Sequence, residues 1–354
     1  MHLPHSKPDI SKEDIDLVTL QVSSGMHATG SKTQEFEDKI REFIGTRYAK
    51  ATSSGTTALH LALMALDVSE GDEVIIPSYV CQSLLNAVNY TRAKPVFADI
   101  DSDFENKGYN ISAQTIKLVI TEKTKAIIVP HMFGMPADIE EILELGIPVI
   151  EDCAQAIGAE YKGKKLGSIG DIGVFSFYAT KVISTGQGGM VVTDLKTPII
   201  NLGDLTQYDK REDYEIAYNY GLSDIQSALG ISQFNKLPEF IKRRNKIADK
   251  YDKAFKDVFK ISKRTPGSFP FRYIIRLNSK QERENLQAKL GEKNIVAEQP
   301  VFKPLHQYFG LNSSQFKNTE LAHDTTLSIP IYPAMTDKEV DYVIENVLDS
   351  FKKN

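Results

Sequence analysis

The sequence predicts an α/β protein: a large domain with a mostly parallel central sheet covered by helices, and a smaller C-terminal α+β domain. Between about residues 47 and 195, short apolar runs alternate with helix-length segments. Connections of that length join parallel strands that are covered on both faces. Beyond about residue 235, longer amphipathic segments take over. We therefore expect the large domain at residues 1–235 and the small domain at residues 236–354.

Short apolar runs bounded by polar or turn residues predict the strands of the large domain. They fall at residues 49–53, 73–77, 94–99, 126–130, 148–152, 172–177 and 189–193. Residues 55–66, after the first strand, have helical character with apolar side chains almost all the way round. A helix of that kind must be buried on several sides.

Longer periodic patterns predict the small domain. Residues 239–258 place apolar side chains on one helical face among many lysines and arginines, and residues 281–290 are also helical. Residues 271–277 are typical of a strand. The mixture indicates an α+β arrangement.

Two capping boxes mark helix starts near the two ends of the chain. Thr336 with Glu339 begins a C-terminal helix whose apolar residues share one face as far as Phe351. Ser11 with Asp14 begins an N-terminal helix. The pattern leaves open whether this N-terminal helix packs on the large or the small domain.

Composition and charge narrow the class of protein. The 354 residues carry a formal net charge of −5, so the chain has no excess of positive charge that would bind nucleic acid or an anionic membrane. No apolar stretch approaches the ~18 residues that span a bilayer, and the N-terminus lacks the layout of a signal peptide. Two cysteines, Cys81 and Cys153, cannot build a disulfide framework. We expect a soluble cytoplasmic protein with no nucleic-acid or membrane partner.

Polar residues at strand ends are candidates for a ligand site, because ligands of open parallel sheets bind at the carboxyl ends of the strands. Residues 53–57, Ser-Ser-Gly-Thr-Thr, run from a strand into the buried helix. Free N–H groups and hydroxyls at a helix N-terminus suit a phosphate. The same residue types are also ordinary helix caps.

Asp152 ends the apolar run at residues 148–152. A carboxylate held there at low dielectric is costly without a cationic partner. The protonated ring nitrogen of a cofactor would be such a partner. The alternative is a surface loop acid or a helix cap.

Lys181 follows the strand that ends near Ser176 and precedes a turn with Gly186, Gly188 and Gly189. A lysine desolvated near a cationic ring loses its proton more easily and becomes a nucleophile. The alternative is a solvated surface lysine, and the glycines could serve only a tight turn.

Ten segments, taken in order, resemble the DegT/DnrJ/StrS family of PLP-dependent sugar aminotransferases, a branch of the aspartate aminotransferase fold (fold type I). The resemblance extends from about residue 25 to the C-terminus. The matching segments are Ser-Gly-Thr at 54–56, Gly-Asp-Glu-Val-Ile-Ile-Pro-Ser at 71–78, Ala-Lys-Pro-Val-Phe-Ala-Asp-Ile-Asp at 93–101, His-Met-Phe-Gly-Met-Pro-Ala-Asp at 131–138, Glu-Asp-Cys-Ala-Gln at 151–155, Gly-Ser-Ile-Gly-Asp at 167–171, Phe-Ser-Phe-Tyr-Ala-Thr-Lys at 175–181, Gly-Gly-Met at 188–190, Tyr-Asn-Tyr at 218–220 and Ser-Asp-Ile-Gln at 223–226.

The resemblance implies roles at the centre of the site. Lys181 would form the Schiff base with pyridoxal 5′-phosphate (PLP) and move the proton during catalysis. Asp152 would pair with the ring nitrogen of PLP. Gln155 would face the hydroxyl side of the ring.

The resemblance also implies a phosphate site and a homodimer. Gly55, Thr56 and Thr57 would hold the phosphate of PLP together with Ser176. Asn219 would reach the phosphate of the neighbouring subunit's cofactor, so that the two active sites of a homodimer are shared.

Two positions depart from the family pattern. Cys81 stands where relatives place an aromatic ring that stacks on PLP, and it could be either a cofactor contact or a plain buried cysteine. Gly221 and Leu222 stand where many relatives have Arg-Met. Both departures concern substrate and ring contacts rather than the core mechanism.

By resemblance, the chain would transfer an amino group from glutamate or glutamine to a nucleotide-linked ketosugar by a ping-pong mechanism. Residues 302–309 are a candidate wall for that substrate, or merely a packing loop. A PLP-dependent sugar dehydratase or lyase, and a PLP-binding regulatory protein without turnover, are the alternatives. Lys181 stands where the dehydratases have histidine, which argues against the first. The sequence contains neither the G-x-G-x-x-G motif of dinucleotide-binding proteins nor a P-loop motif. Its seven histidines are scattered along the chain, so the sequence gives a metal site little support.

Overall fold

The computed structural model describes residues 2–209 and 211–352. Its strands are β1 (Tyr48–Thr52), β2 (Glu73–Pro77), β3 (Lys94–Ala98), β4 (Thr124–Pro130), β5 (Val149–Asp152), β6 (Glu160–Tyr161), β7 (Lys164–Lys165), β8 (Ile172–Ser176), β9 (Gly189–Thr193), β10 (Tyr273–Arg276) and β11 (Thr326–Ile329). Its helices are α1 (Lys12–Ser23), α2 (Ser31–Ile44), α3 (Gly55–Ala65), α4 (Gln82–Tyr90), α5 (Ala113–Lys117), α6 (Ile139–Leu143), α7 (Lys196–Thr206), α8 (Asp224–Asn235), α9 (Leu237–Phe255), α10 (Lys280–Glu292), α11 (Leu305–Tyr308), α12 (Lys317–Thr325) and α13 (Asp337–Lys352).

A seven-stranded sheet in the order β1-β9-β8-β5-β4-β2-β3 forms the centre of the protein. The pairs β2–β3, β2–β4, β4–β5 and β5–β8 are parallel, whereas β9 runs antiparallel to both β8 and β1. All residues of β5 are buried, as expected for a strand that is covered on both faces. The prediction of a mostly parallel, covered sheet is confirmed.

The covering helices follow from their sequence patterns. In α3, every residue from Ala58 to Leu63 is buried, because an almost uniformly apolar helix gains free energy on all sides when it lies against the sheet. The N-terminal helix α1 begins at its capping box and packs on α8: Asp14 accepts hydrogen bonds from Lys236 at 2.5 Å and Gln233 at 3.1 Å.

A second hydrophobic core lies around the small sheet of β10 and β11, which pair antiparallel. Residues of α9, α10 and α13 surround that sheet. Leu3 from the N-terminal segment is fully buried in the same core. There the Leu3 N–H donates to the Asn294 carbonyl at 2.8 Å and the Val296 N–H donates to the Leu3 carbonyl at 2.9 Å. The domain limits at residues 235 and 236 stay a prediction.

Buried polar contacts hold α11 and β11 against the segment that follows β2. Ser78, directly after β2, and His306, in α11, hydrogen-bond through Oγ and Nδ1 at 2.7 Å, and His306 Nε2 lies 2.8 Å from Glu320. This connectivity is that of a hydrolase triad, but Ser78 and His306 are fully buried, so the group has a structural role. Tyr79, also fully buried, hydrogen-bonds Thr326 at 2.8 Å.

Within the described residues, no helix is long and apolar enough to cross a membrane.

His5 is a buried histidine of the N-terminal segment with a strongly perturbed pKa. Its Nε2 lies 2.8 Å from Ser328 Oγ, and its Nδ1 lies 3.5 Å from a carboxylate oxygen of Glu298. Burial, reinforced by the positive charges of Arg272 and Arg244, lowers the pKa of His5 to about 3. The folded protein therefore keeps the ring neutral.

We expect this histidine to make the fold less stable in acid. Below its ordinary pKa of 6.5 the unfolded chain protonates His5, whereas the folded protein does not until about 3. The unfolded state then binds more protons, so the free energy of unfolding falls as the pH falls between these values. In His5→Gln, the free energy of unfolding should fall less steeply with falling pH, by up to about 1.4 kcal/mol per pH unit. Denaturant unfolding between about pH 5 and about pH 7 measures this difference.

His27→Gln is the matched control, because it removes an exposed histidine instead of a buried one. Equal slopes for His5→Gln and the original protein would contradict the role of His5.

Candidate active site

Two adjoining cavities lie at the carboxyl ends of β5 and β8. The smaller, of about 310 Å³, is bounded by Ser54, Gly55, Thr56, Asp152, Ser176 and Lys181. The larger, of about 650 Å³, extends toward the second core. Cys81, Thr180 and Lys181 border both cavities. Cavities therefore lie at the edge of the sheet where a ligand site was predicted, and Lys181 borders both of them.

Lys181 lies in the loop after β8, with its Nζ 5.5 Å from the centre of the Phe271 ring. Burial lowers the pKa of its amine, and the positive charge of Arg272 lowers it further. Cys81 and Asp152 act in the opposite direction. The net effect is an amine that loses its proton more readily than an ordinary lysine, as a nucleophile requires.

Asp152 is the last residue of β5 and is buried. Its Oδ1 accepts a hydrogen bond from the Ala154 N–H at 3.0 Å. Burial raises its pKa, only partly offset by that hydrogen bond and by the charges of Lys181 and His131. No Lys, Arg or His among residues 2–209 and 211–352 lies within ion-pair distance of it. The carboxylate thus borders the smaller cavity in an environment that a cationic ligand would stabilise.

The first turn of α3 forms the other end of the smaller cavity. A helix N-terminus presents N–H groups without intrahelical partners, here at Gly55 and Thr56, with Ser176 beside them. A Cβ atom at Gly55 would lie 2.8 Å from the Cβ of Ser176, so glycine is needed for this close approach. These donors suit a phosphate group.

Thr57 is the residue of the predicted phosphate set that does not border the cavity. Its hydroxyl donates to the Ser54 carbonyl at 2.8 Å and accepts from the Ser54 N–H at 3.0 Å, while Ser54 Oγ accepts from the Thr57 N–H. This capping box, rather than a ligand, engages its side chain.

The glycine-rich turn holds the loop before α3 in place. A Cβ atom at Gly189 would lie 2.4 Å from the Ser54 carbonyl oxygen, which only glycine permits. Gln187 and Gly188 border the smaller cavity.

Three further predicted residues occupy distinct places. Gln155 borders the larger cavity, and its Oε1 accepts a hydrogen bond from the Phe133 N–H at 3.0 Å. Cys81, at the N-terminus of α4, is exposed and borders both cavities, so the interpretation as a plain buried cysteine is wrong. Asn219 is exposed and does not border the cavities of its own chain.

Glu151, next to Asp152, is a fully buried acid whose role the sequence did not indicate. Its carboxylate accepts hydrogen bonds from three backbone N–H groups, at Gly167, Ile169 and Gly170, and from His131 Nε2 at 3.0 Å. Burial would raise its pKa, but the hydrogen bonds from His131 and the backbone lower it below the ordinary value.

The same network accounts for a cluster with the spacing of a metal site. Ligand atoms of His131, Glu151 and Cys153 lie within 4.8 Å of one another. However, the Ala137 N–H donates to His131 Nδ1 at 3.1 Å, which leaves the proton on Nε2 to donate to Glu151. Burial also raises the pKa of Cys153 well above its ordinary value. His131 and Glu151 are therefore satisfied by hydrogen bonds within the protein, and burial disfavours the thiolate that a metal ion would bind.

Residues of the C-terminal part line the larger cavity. Phe302, Lys303 and Tyr308, from the predicted substrate wall, border it, whereas Leu305 and His306 of the same segment are buried in packing. Arg272 borders it as well, a position that no sequence pattern indicated.

A buried acid and an amine with a lowered pKa share a cavity with a helix N-terminus at the carboxyl edge of an α/β sheet, an arrangement that suits PLP, a cofactor with a phosphate and a cationic ring. The residues fit the cofactor in size and charge, because the cavity joins anion donors at α3 to the Asp152 carboxylate. Comparisons with known proteins establish the family.

The chain belongs to the DegT/DnrJ/EryC1/StrS aminotransferase family, whose model matches residues 8–348. It is 35% identical to GDP-perosamine synthase of Escherichia coli O157:H7, with 98% of each chain covered. The PLP form of Spr1654 from Streptococcus pneumoniae matches with a TM-score of 0.92 and 27% identity, covering 100% of this chain and 99% of that one. PseC of Helicobacter pylori, an aminotransferase involved in the biosynthesis of pseudoaminic acid, matches with a TM-score of 0.90, 27% identity and 100% of both chains covered. The predicted fold, PLP dependence and aminotransferase activity are confirmed.

We expect Glu151 to be essential for stability. Glu151→Ala would leave three backbone N–H groups and the His131 ring without an acceptor in a buried place, so the free energy of unfolding should fall by about 3–5 kcal/mol. Denaturant unfolding of the apoprotein measures this without a contribution from cofactor release.

Glu140→Ala serves as the control. The substitution breaks an ion pair between Glu140, whose side chain is 44% exposed, and Lys162, whose side chain is 63% exposed. The free energy of unfolding should fall by less than about 1 kcal/mol. Similar losses for the two variants would show that the buried network contributes little.

Proposed function

We propose that this aminotransferase moves an amino group from glutamate or glutamine to a keto group of a nucleotide-linked sugar, in two half-reactions of a ping-pong mechanism. The observation that carries the proposal is the cavity of about 650 Å³ that extends from Lys181 to Phe302 and Lys303. It offers room for a substrate much larger than an amino acid. The family and the similarity to GDP-perosamine synthase support a sugar nucleotide as that substrate.

The outer wall of the larger cavity has the chemistry that a nucleotide requires. The Phe302 ring is 88% exposed, which leaves it free to stack on a base. Lys303, whose Nζ lies 4.4 Å from the centre of the Tyr308 ring, supplies positive charge for a diphosphate. We assign the base and the phosphates to this wall, with the sugar pointing toward Lys181.

The residues of the smaller cavity hold the cofactor in this proposal. When bound, PLP would supply an electron sink for the transfer of the amino group. The Gly55 and Thr56 N–H groups and the Ser176 hydroxyl would bind its phosphate, and the Asp152 carboxylate would pair with its ring nitrogen. Lys181 Nζ takes a proton from the α-carbon of the donor, which its lowered pKa favours.

Lys181→Ala should abolish amino transfer while the fold remains intact, because no hydrogen bond to the side chain of Lys181 contributes to the described structure. The assay is the change in visible absorbance of the holoenzyme when L-glutamate is added. In the original PLP-loaded protein, borohydride reduction followed by peptide mapping should find the cofactor attached to Lys181.

Lys164→Ala, at an exposed lysine, is the control and should retain both activity and labelling at Lys181. A label on another lysine would overturn the assignment.

We propose further that the protein is a homodimer in which Asn219 serves the partner's active site. The backbone next to Asn219 is fixed, since the Ser53 N–H donates to the Tyr220 carbonyl at 2.6 Å, yet the Asn219 side chain is exposed. In the same loop, Tyr214 is 94% exposed and Ile216 is 69% exposed. Exposed apolar side chains around a predicted ligand contact suit a subunit interface.

Mixing two inactive variants tests this arrangement. A Lys181→Ala subunit paired with an Asn219→Ala subunit contains one complete site if Asn219 acts across the interface, and none if it acts within its own chain. Random mixing should restore roughly a quarter of the original activity, because half of the dimers are mixed and one of their two sites is complete. Activity no higher than the average of the separate variants would contradict a shared site.

A further inference from the structure

Arg272 stands immediately before β10, on a segment that is fixed from two sides. The Phe271 N–H donates to the Phe133 carbonyl at 2.9 Å, and Arg244 Nη1 donates to the Phe271 carbonyl at 2.9 Å. The Arg272 side chain is only 23% exposed and borders the larger cavity. Its guanidinium is therefore held at a defined place on the cavity wall.

The position of Arg272 relative to Lys181 distinguishes it from Lys303. Among the described residues, Arg272 is the cation whose charge lowers the pKa of Lys181. Lys303 borders the same cavity but lies over the Tyr308 ring. Arg272 and Lys181 border the same cavity, and the ring of Phe271, the residue before Arg272, lies with its centre 5.5 Å from Lys181 Nζ.

The contacts of the guanidinium with the described residues are long. Arg272 Nη1 lies 3.7 Å from Glu298 and 3.4 Å from Nε2 of His5. A guanidinium has five N–H donors in a planar fork, so these contacts leave donors for a ligand. His5 adds no positive charge that would compete for an anion, because its pKa is lowered to about 3.

We propose that Arg272 binds the α-carboxylate of the amino donor. The inference rests on the proposed function. In that reaction the donor's amino group must reach the neighbourhood of Lys181, and the α-carboxylate is attached to the same carbon as that amino group. The fork geometry of arginine matches a carboxylate with two parallel hydrogen bonds. Glu298 remains beside the guanidinium when no donor is bound.

The test compares Arg272→Gln with Arg276→Gln in the PLP-loaded enzyme. Arg276 is the last residue of β10, the strand that follows Arg272, and its guanidinium lies over the Phe104 ring. Its replacement removes the same charge outside the cavity. The first measurement is the rate constant for the absorbance change with L-glutamate. The second is the dissociation constant of 2-methylalanine, which carries only an α-carboxylate and has no α-hydrogen to lose, from an absorbance titration.

Arg272→Gln should lower the glutamate rate constant and weaken 2-methylalanine binding about ten- to hundredfold each, the range for a lost hydrogen-bonded charge. Arg276→Gln should change neither, and cofactor content and melting temperature should match in all three proteins. Unchanged binding of 2-methylalanine in Arg272→Gln overturns the proposal, even where the glutamate rate falls, since the arginine would then serve the distal carboxylate. Absence of any glutamate reaction in the original enzyme would instead count against the proposed donor, and the titration would still decide the role of Arg272.

Discussion

The site depends on one constraint, the burial of two successive acids at the end of the central strand β5. Neighbouring residues of a strand point to opposite faces of the sheet, so Glu151 and Asp152 enter different surroundings. A buried carboxylate is costly unless donors or cations compensate it. The protein itself satisfies Glu151 with four hydrogen bonds. It leaves Asp152 facing a cavity with a raised pKa, the place that our proposal gives to the ring nitrogen of PLP.

The pKa of the Lys181 amine is set by opposing influences from several segments of the chain. Burial and Arg272 lower the pKa of Lys181, while Cys81 and Asp152 raise it. Arg272 borders the cavity of Lys181, and the segment before β10 is bonded to the loop after β4 through Phe271 and Phe133. This contact between segments far apart in the chain therefore contributes to the electrostatics of the site as well as to its shape.

Much of the fold could be predicted, because strands and helices follow from local patterns. The strands at residues 73–77 and 189–193 have the bounds that the sequence indicates. The strand predicted at 271–277 is shorter, at Tyr273–Arg276, since Phe271 pairs instead with Phe133. Thr57 illustrates a limit at the site: a threonine hydroxyl in the first turn suits a cap as well as a phosphate, and the structure shows the cap.

The sequence by itself determined the strands of the central sheet, the placing of Asp152 at a strand end and of Lys181 in a loop after a strand, and the family, since periodicity and short motifs are properties of neighbouring residues. Only the tertiary structure decided which of the two acids is satisfied and which faces a ligand. It alone also brought Arg272 to the cavity of Lys181. The physical reason is that these contacts join segments far apart in the chain, and their partners depend on how the covered sheet and the second core pack together.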